Sequence, residues 1–339
     1  MSNTILRAAI IGCGAISKLH AKALSEGDYA EIVALADIVP ERAAALRDAY
    51  AKDARIFTDW REMLDDVTPD VVHIATPHYL HKEMACECLL RGIHVYLEKP
   101  ATITPDEMDA LLAAEEKSSA KLTVSFQNRR IANNRLFYHL IEAEGGAISA
   151  RAMVTWCRGK SYYTADDWHG TLAREGGGAM INQAIHTLDL LLNAFPAEID
   201  TVQGMTALWE NGEFSEVEDN ASFLVTFRDG AKICFYASNN YGTDAPNFYE
   251  VATKSGVRIT GMGGHIYKNG VRMDEEKIRE ALVGKDCWGY GHGITIQEFY
   301  TAIKTGGEVP IPLRSASRVM RVLFALYESN GKKVAVKND

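Results

Sequence analysis

Up to Ser125 the chain alternates short, continuously apolar runs with stretches of helical period. The runs Ile5 to Ile11, Glu31 to Ala36, a short one near Ile56, Val71 to Ala75, Ile93 to Leu97 and Lys121 to Ser125 read as strands. Their near-continuous apolar character is that of strands buried on both faces in a parallel sheet. Helices are expected from near Ala15 through Leu24, over Pro40 to Ala51, around Trp60 to Asp65, after Pro77, and over Thr104 to Ser118. This alternation predicts a doubly wound α/β domain over 1–126.

The pattern then changes. A helix from about Asn134 to Ala143 leads to Gly145 and Gly146, beyond which the apolar positions alternate with polar ones. Strands are expected over Ser149 to Cys157, Glu198 to Leu208, Asp219 to Phe227, Ala231 to Ser238, Tyr249 to Thr253 and Val257 to Thr260, with a hairpin at Arg228, Asp229 and Gly230. A helix is expected over Gly178 to Ala194, and two more near Ile294 to Lys304 and Ser315 to Asn330. The second domain, 127–339, is thus α+β on an open, mostly antiparallel sheet, with a C-terminal helix able to pack back on the first domain.

The first strand ends in Gly12, Cys13, Gly14, Ala15, Ile16 and Ser17, a GxGxxS sequence. Gly12 permits a tight turn, Gly14 lets backbone approach a pyrophosphate, and the amides near Ala15 and Ile16 open a helix whose positive end faces the phosphates. Asp37 ends the second strand, where a carboxylate accepts from the adenosine ribose hydroxyls. It favours NAD over NADP because it repels a 2′-phosphate, although it could also only cap the turn before Pro40. Thr76, Pro77, His78 and His81 follow the next long strand, where a nicotinamide ribose lies in such folds. Glu98, Lys99 and Pro100 follow the fifth, and Gln127, Asn128 and Arg129 the last. Glu98, Lys99 and Gln127 join the cofactor candidates, and Lys99, Asn128 and Arg129 the substrate candidates. A lysine at a strand tip is an exposed surface group in most contexts; what precedes it favours a functional reading.

The 339 residues suffice for two cores, and the formal charge of −9 with no basic aromatic cluster excludes a nucleic-acid surface. No apolar run is long enough to span a bilayer and the start shows no signal core, so a cytoplasmic protein is expected. Cys13, Cys86, Cys88, Cys157, Cys234 and Cys287 form no CxxC pair and are expected reduced. Neither His78 nor His81 has a third ligand at a plausible metal-site spacing, so no metal is expected.

The glycine sequence, Asp37, the ATP of Ala75 to Pro77, the EKP of Glu98 to Pro100, the SFQNR of Ser125 to Arg129 and the GGGAMINQAIHTLD of Gly176 to Asp189 together resemble the glucose-fructose oxidoreductase and inositol dehydrogenase (Gfo/Idh/MocA) family. GYGH at Gly289 to His292 and ESNGKKV at Glu328 to Val334 are similar as well. The resemblance implies a Rossmann domain, a second domain supporting the active site, and an active site with the EKP lysine and an Asp four residues before a His. Lys99 and His186 match; Asn182 stands where the Asp is usual, and Asp189 is a possible substitute more suited to supporting the helix. Asn182 and His186 share a helix face, but an amide cannot raise the histidine's pKa as a carboxylate would. Tyr163, Trp168, His169, Tyr290 and His292 are further pocket candidates, with packing as their alternative role.

The implied chemistry is hydride transfer between nicotinamide and a secondary alcohol or ketone of a sugar, cyclic polyol or sugar derivative. His186 is the expected acid/base, and Lys99 the donor to the same oxygen. Alternatives are glycoside processing by transient oxidation with recycled NAD, and a non-catalytic NAD- or sugar-sensing protein. A homodimer or homotetramer is expected from a sheet face that needs cover.

Overall fold

The computed structural model describes residues 5–209, 211–274 and 291–339, which divide into two compact bodies. The first comprises 5–102, 106–127 and 291–316. Its sheet contains β1 (Leu6–Ile11), β2 (Ala30–Ala36), β3 (Arg55–Phe57), β4 (Val71–Ile74), β5 (His94–Leu97) and β6 (Leu122–Val124) in the order β3-β2-β1-β4-β5-β6. All five pairings are parallel. In β1 the consecutive residues Ala8, Ala9, Ile10 and Ile11 are all buried, as strands covered on both faces require. Strand order reverses between β1 and β4, so a crevice lies beyond their carboxyl ends.

The helix Ser17–Glu26 buries Ser17, His20, Ala21 and Leu24, a stripe of helical period. It begins two residues later than its apolar pattern suggests. Beside it packs Gly291–Thr305, whose Ile296, Phe299 and Tyr300 share a core cluster with Ala21, Leu24 and Leu35. That helix belongs to the first body, although it follows all but the last strand of the second sheet in sequence.

The second body comprises 103–105, 128–274 and 317–339. Its strands are β7 (Ala147–Thr155), β8 (Ile199–Ala207), β9 (Asn220–Phe227), β10 (Lys232–Ser238), β11 (Phe248–Thr253), β12 (Arg258–Met262), β13 (His265–Lys268), β14 (Val271–Arg272) and β15 (Lys333–Ala335). They form one sheet in the order β14-β13-β12-β11-β7-β10-β9-β8-β15, antiparallel except between β7 and β10. Alternation puts Ala150, Ala152 and Val154 of β7 and Ile233, Phe235 and Ala237 of β10 on the buried face. The helix Ile185–Asn193 packs on β7 and β11, and Ala132–Ala143 on β12 and β13.

The stretch Gly178 to Ala194 is not one α-helix: Ala179–Ala184 form a π-helical turn that passes into Ile185–Asn193. Its opening amides are held elsewhere. Gly178 and Met180 donate their N–H groups to the Glu218 carboxylate, and Ala179 donates to the Glu218 carbonyl. No helix among the described residues is long and apolar enough to cross a membrane.

Candidate functional site

In the first body, Gly12 has φ +88°, and a Cβ there would lie 2.6 Å from the Ala75 carbonyl oxygen. Only glycine fits both the turn and this approach to the end of β4. A Cβ at Gly14 would meet no atom within 4 Å. The Ser17–Glu26 helix has no side-chain cap on its first turn, so amides remain there for an anion. The open face at Gly14 and these amides fit a dinucleotide pyrophosphate. Ala15 and Ile16 form the turn leading into the helix rather than its first residues. Asp37 accepts from Cys13 N at 2.7 Å through one oxygen and from Val39 N at 2.8 Å through the other. It therefore fixes the glycine loop, and a carboxylate with two such bonds retains lone pairs for ribose hydroxyls. Burial, with Asp37 nearby, pushes the Cys13 thiol up to about 12, which makes it a poor nucleophile.

His81 is fully buried, with Nδ1 2.7 Å from the Pro100 carbonyl and Nε2 2.9 Å from that of Thr76. Its ring braces the loops after β4 and β5 from behind. Burial lowers its pKa, while the two carbonyls and Glu98 favour the cation. His78 is buried in the short 3-10 turn His78–Leu80 beside it. Lys99, half-buried, follows Glu98, and its backbone N–H donates to Glu98 Oε2 at 3.3 Å. Burial alone would raise the pKa of Glu98, but hydrogen bonding from His20 and the nearness of His292 hold it well below the usual carboxylate range. His292 thus lies against Glu98, in the first body. Gln127 is buried, and its carbonyl leaves no room for a Cβ at Gly291. Gly289, Tyr290 and Cys287 lie outside the described residues.

In the second body, every residue from Ala179 to Leu192 is buried except Asn182 and His186, which are half-buried. Asn182 donates its side-chain N–H groups to Glu175 Oε1 and to the Tyr162 hydroxyl, each at 2.8 Å. Glu175 is fully buried, and its other oxygen accepts from Gly170 N at 2.6 Å. Gln183 also donates to Tyr162, and Asn239 bonds both Gln183 and the Tyr163 hydroxyl. Burial, and then the Glu175 charge, push the Tyr162 phenol far above its ordinary value. Tyr163 is 2% exposed, so it backs this lattice instead of facing solvent. A carboxylate is therefore present one hydrogen bond behind Asn182. Its signal in sequence was only an acid before three glycines.

Arg129 and Asp189 form a two-pronged ion pair, Nε to Oδ2 at 2.8 Å and Nη2 to Oδ1 at 2.5 Å, with the Asp189 side chain buried and that of Arg129 10% exposed. Asp189 thus anchors Arg129, and the charge of Arg129 is largely neutralised before any ligand is considered. The Asn128 carbonyl accepts from the Asn134 side chain at 2.8 Å. Trp168 stacks near His169, with ring centroids 3.7 Å apart, and His169 pairs with Asp166. His20, His73 and Tyr300, which extend the contacts of Glu98, carried no motif in the sequence.

Residues 6–126 match the family GFO_IDH_MocA, described as an oxidoreductase family with an NAD-binding Rossmann fold, and 143–262 match its C-terminal domain. D-glucoside 3-dehydrogenase of Escherichia coli (strain K12) is 29% identical over 247 residues, covering 68% of this chain and 69% of its own. Levoglucosan dehydrogenase of Pseudarthrobacter phenanthrenivorans is 25% identical over 383 residues, covering 97% of each. Other curated relatives are matched over 64% and 68% of their own length. Among solved structures, the WlbA dehydrogenase from Bordetella pertussis, in complex with NADH and UDP-GlcNAcA, superposes with a TM-score of 0.86 at 27% identity over all of both chains.

Proposed function

The chain belongs to the GFO/IDH/MocA oxidoreductase family, and we propose that it is an NAD-dependent dehydrogenase or reductase acting on a secondary CH–OH carbon of a sugar, cyclic polyol or sugar derivative. The observation that carries this reading is the order of the first sheet: the Gly12 to Gly14 turn opens at the strand-order reversal, and Lys99 follows the neighbouring β5. Bound NAD supplies the hydride acceptor. Asp37 selects the ribose of NAD. Lys99 donates a hydrogen bond to the substrate oxygen and stabilises alkoxide charge as it develops. His186 takes or returns the hydroxyl proton, a role suited to an imidazole whose ordinary pKa is about 6.5. Asn182, its amide nitrogen spent on Glu175 and Tyr162, offers its carbonyl oxygen as an acceptor.

The relatives whose names specify sugars or sugar derivatives support this substrate class. We also propose a homodimer or homotetramer, supported by exposed Met153, Met205 and Met262 on sheet strands and testable by light scattering. A cytoplasmic setting accords with five free cysteines among the described residues. The central experiment screens sugars, polyols and nucleotide sugars with NAD for NADH fluorescence, then repeats productive cases with Lys99→Ala and His186→Ala. Both variants lose turnover and keep NAD binding. Full activity in either removes its assigned role, and tightly held NAD with no NADH release on any substrate argues for cofactor recycling instead.

A further inference from the structure

Three side chains of the first body converge from distant parts of the chain: His20 on the Ser17–Glu26 helix, Glu98 after β5, and His292 in the first turn of Gly291–Thr305. Each is at most 5% exposed. His20 Nε2 lies 2.9 Å and His292 Nε2 3.3 Å from the same oxygen, Glu98 Oε1, and one ligating atom from each residue lies within 4.8 Å of the others. Adjacent donors held about 2.0–2.1 Å from one ion stand roughly 2.9–3.4 Å apart, so the cluster needs only small movements to surround a cation.

Hydrogen bonding accounts for part of this arrangement. His20 Nδ1 is 3.1 Å from His73 Nδ1, and His73 Nε2 is 3.0 Å from the Tyr300 hydroxyl. With Tyr300 as first donor, the chain runs through His73 and His20 to the Glu98 carboxylate. That direction leaves out His292: among the described residues neither of its ring nitrogens is hydrogen-bonded, although the residue is only 3% exposed. The opposite direction has His20 Nδ1–H donating to His73 and His73 Nε2–H donating to Tyr300. It turns the His20 Nε2 lone pair toward the point that His292 and Glu98 also face. A histidine that binds a metal through one nitrogen typically donates from the other to a fixed acceptor, and His73 with Tyr300 provides that support.

We propose that His20 Nε2, Glu98 Oε1 and His292 Nε2 bind one divalent transition-metal ion of the zinc type, with water as a further ligand. Two imidazoles and one carboxylate suit zinc or cobalt, whereas magnesium and calcium take oxygen ligands. The ion ties two helices to the loop after β5 and fixes Glu98 beside Lys99. Ligands from positions this far apart leave no spacing motif, which is why the sequence predicted no metal.

The test uses the full-length protein, treated with chelator and freed of it, with neither NAD nor sugar present. It is titrated with zinc chloride by calorimetry and with cobalt(II) by visible absorption. One ion per chain is expected, with affinity lower by about a hundredfold or more in His292→Gln and unchanged in a variant of the exposed His139, His139→Gln. Zinc raises the Tm of the parent and not of His292→Gln, whose fold is checked by circular dichroism. X-ray absorption at the zinc edge of the loaded parent shows two imidazoles and no sulfur, a readout that needs no variant. Absence of stoichiometric zinc or cobalt uptake by the parent, undiminished uptake by folded His292→Gln, or a sulfur shell overturns the site.

Discussion

Asn182 donates its side-chain amide to the buried carboxylate of Glu175 at 2.8 Å, and Glu175 accepts a second bond from Gly170 N. The acceptor character of the carboxylate fixes which end of the amide is which, leaving the carbonyl oxygen as the acceptor. Asn182→Asp, which restores the carboxylate implied by the family pattern, is therefore harmful here. It replaces a hydrogen bond with two carboxylates at contact, one of which must take a proton. We expect kcat/KM to fall at least about tenfold and stability by about 1–3 kcal/mol. Glu175→Gln combined with Asn182→Asp recovers part of both losses, because the coupling is direct. Melting curves and steady-state kinetics of the two singles and the double decide it; an Asn182→Asp enzyme as stable and active as the parent refutes the pairing.

The two glycines of the first turn separate folding from binding. Gly12→Ala forces a Cβ to 2.6 Å from the Ala75 carbonyl at φ +88°, and should cost about 1–3 kcal/mol of stability. Gly14→Ala meets nothing within 4 Å, so its Tm stays close to the parent's while NAD affinity drops about tenfold or more. Calorimetric melts and a fluorescence titration with NADH measure the two effects separately. Unchanged NADH affinity in Gly14→Ala contradicts the pyrophosphate assignment.

The first sheet was legible because β4 and β6 are wholly buried and β1 and β5 nearly so, which keeps them largely apolar, and because a glycine turn needs its residues consecutive in sequence. The second sheet was legible only where strands are long enough to alternate. β13, β14 and β15 have four, two and three residues, too few to show a period. The helix Gly291–Thr305 showed its pattern but not its address, since which core an amphipathic stripe joins is decided by tertiary packing. Lys99 and His186 stood within local motifs. Glu175 did not, and although Arg129 and Asp189 each did, their pairing joins two motifs: such meaning lies in contacts between segments, to which spacing along one segment is blind.

Asp189 and Arg129 supply a stability test within the second body. Burial raises the pKa of Asp189, and Arg129 opposes that rise, so each charge depends on the other. Asp189→Asn takes the compensating charge away from the largely buried Arg129 guanidinium and should destabilise by about 3–5 kcal/mol. Arg129→Met with Asp189→Leu removes both charges and recovers most of the loss. Urea unfolding of the set is the measurement, and an Asp189→Asn protein within about 0.5 kcal/mol of the parent shows that the pair contributes little.

Glu115, on the helix Pro105–Lys117, gives a dependence on pH. Burial raises its pKa from 4.5 to about 7, with Arg314 only partly offsetting the effect. Because the folded value is the higher, its favourable contribution is fully present below about pH 4.5 and is lost as pH rises through 7. Glu115 is half-buried, and solvent screening limits the change to about 1–2 kcal/mol. Glu115→Gln should therefore be more stable than the parent at pH 8, with the difference shrinking toward pH 5. Its Tm advantage at the upper end is about 2–4 °C per kcal/mol. Paired melts of parent and variant across this range test the sign, and a variant whose Tm parallels the parent's at every pH rules out the raised pKa.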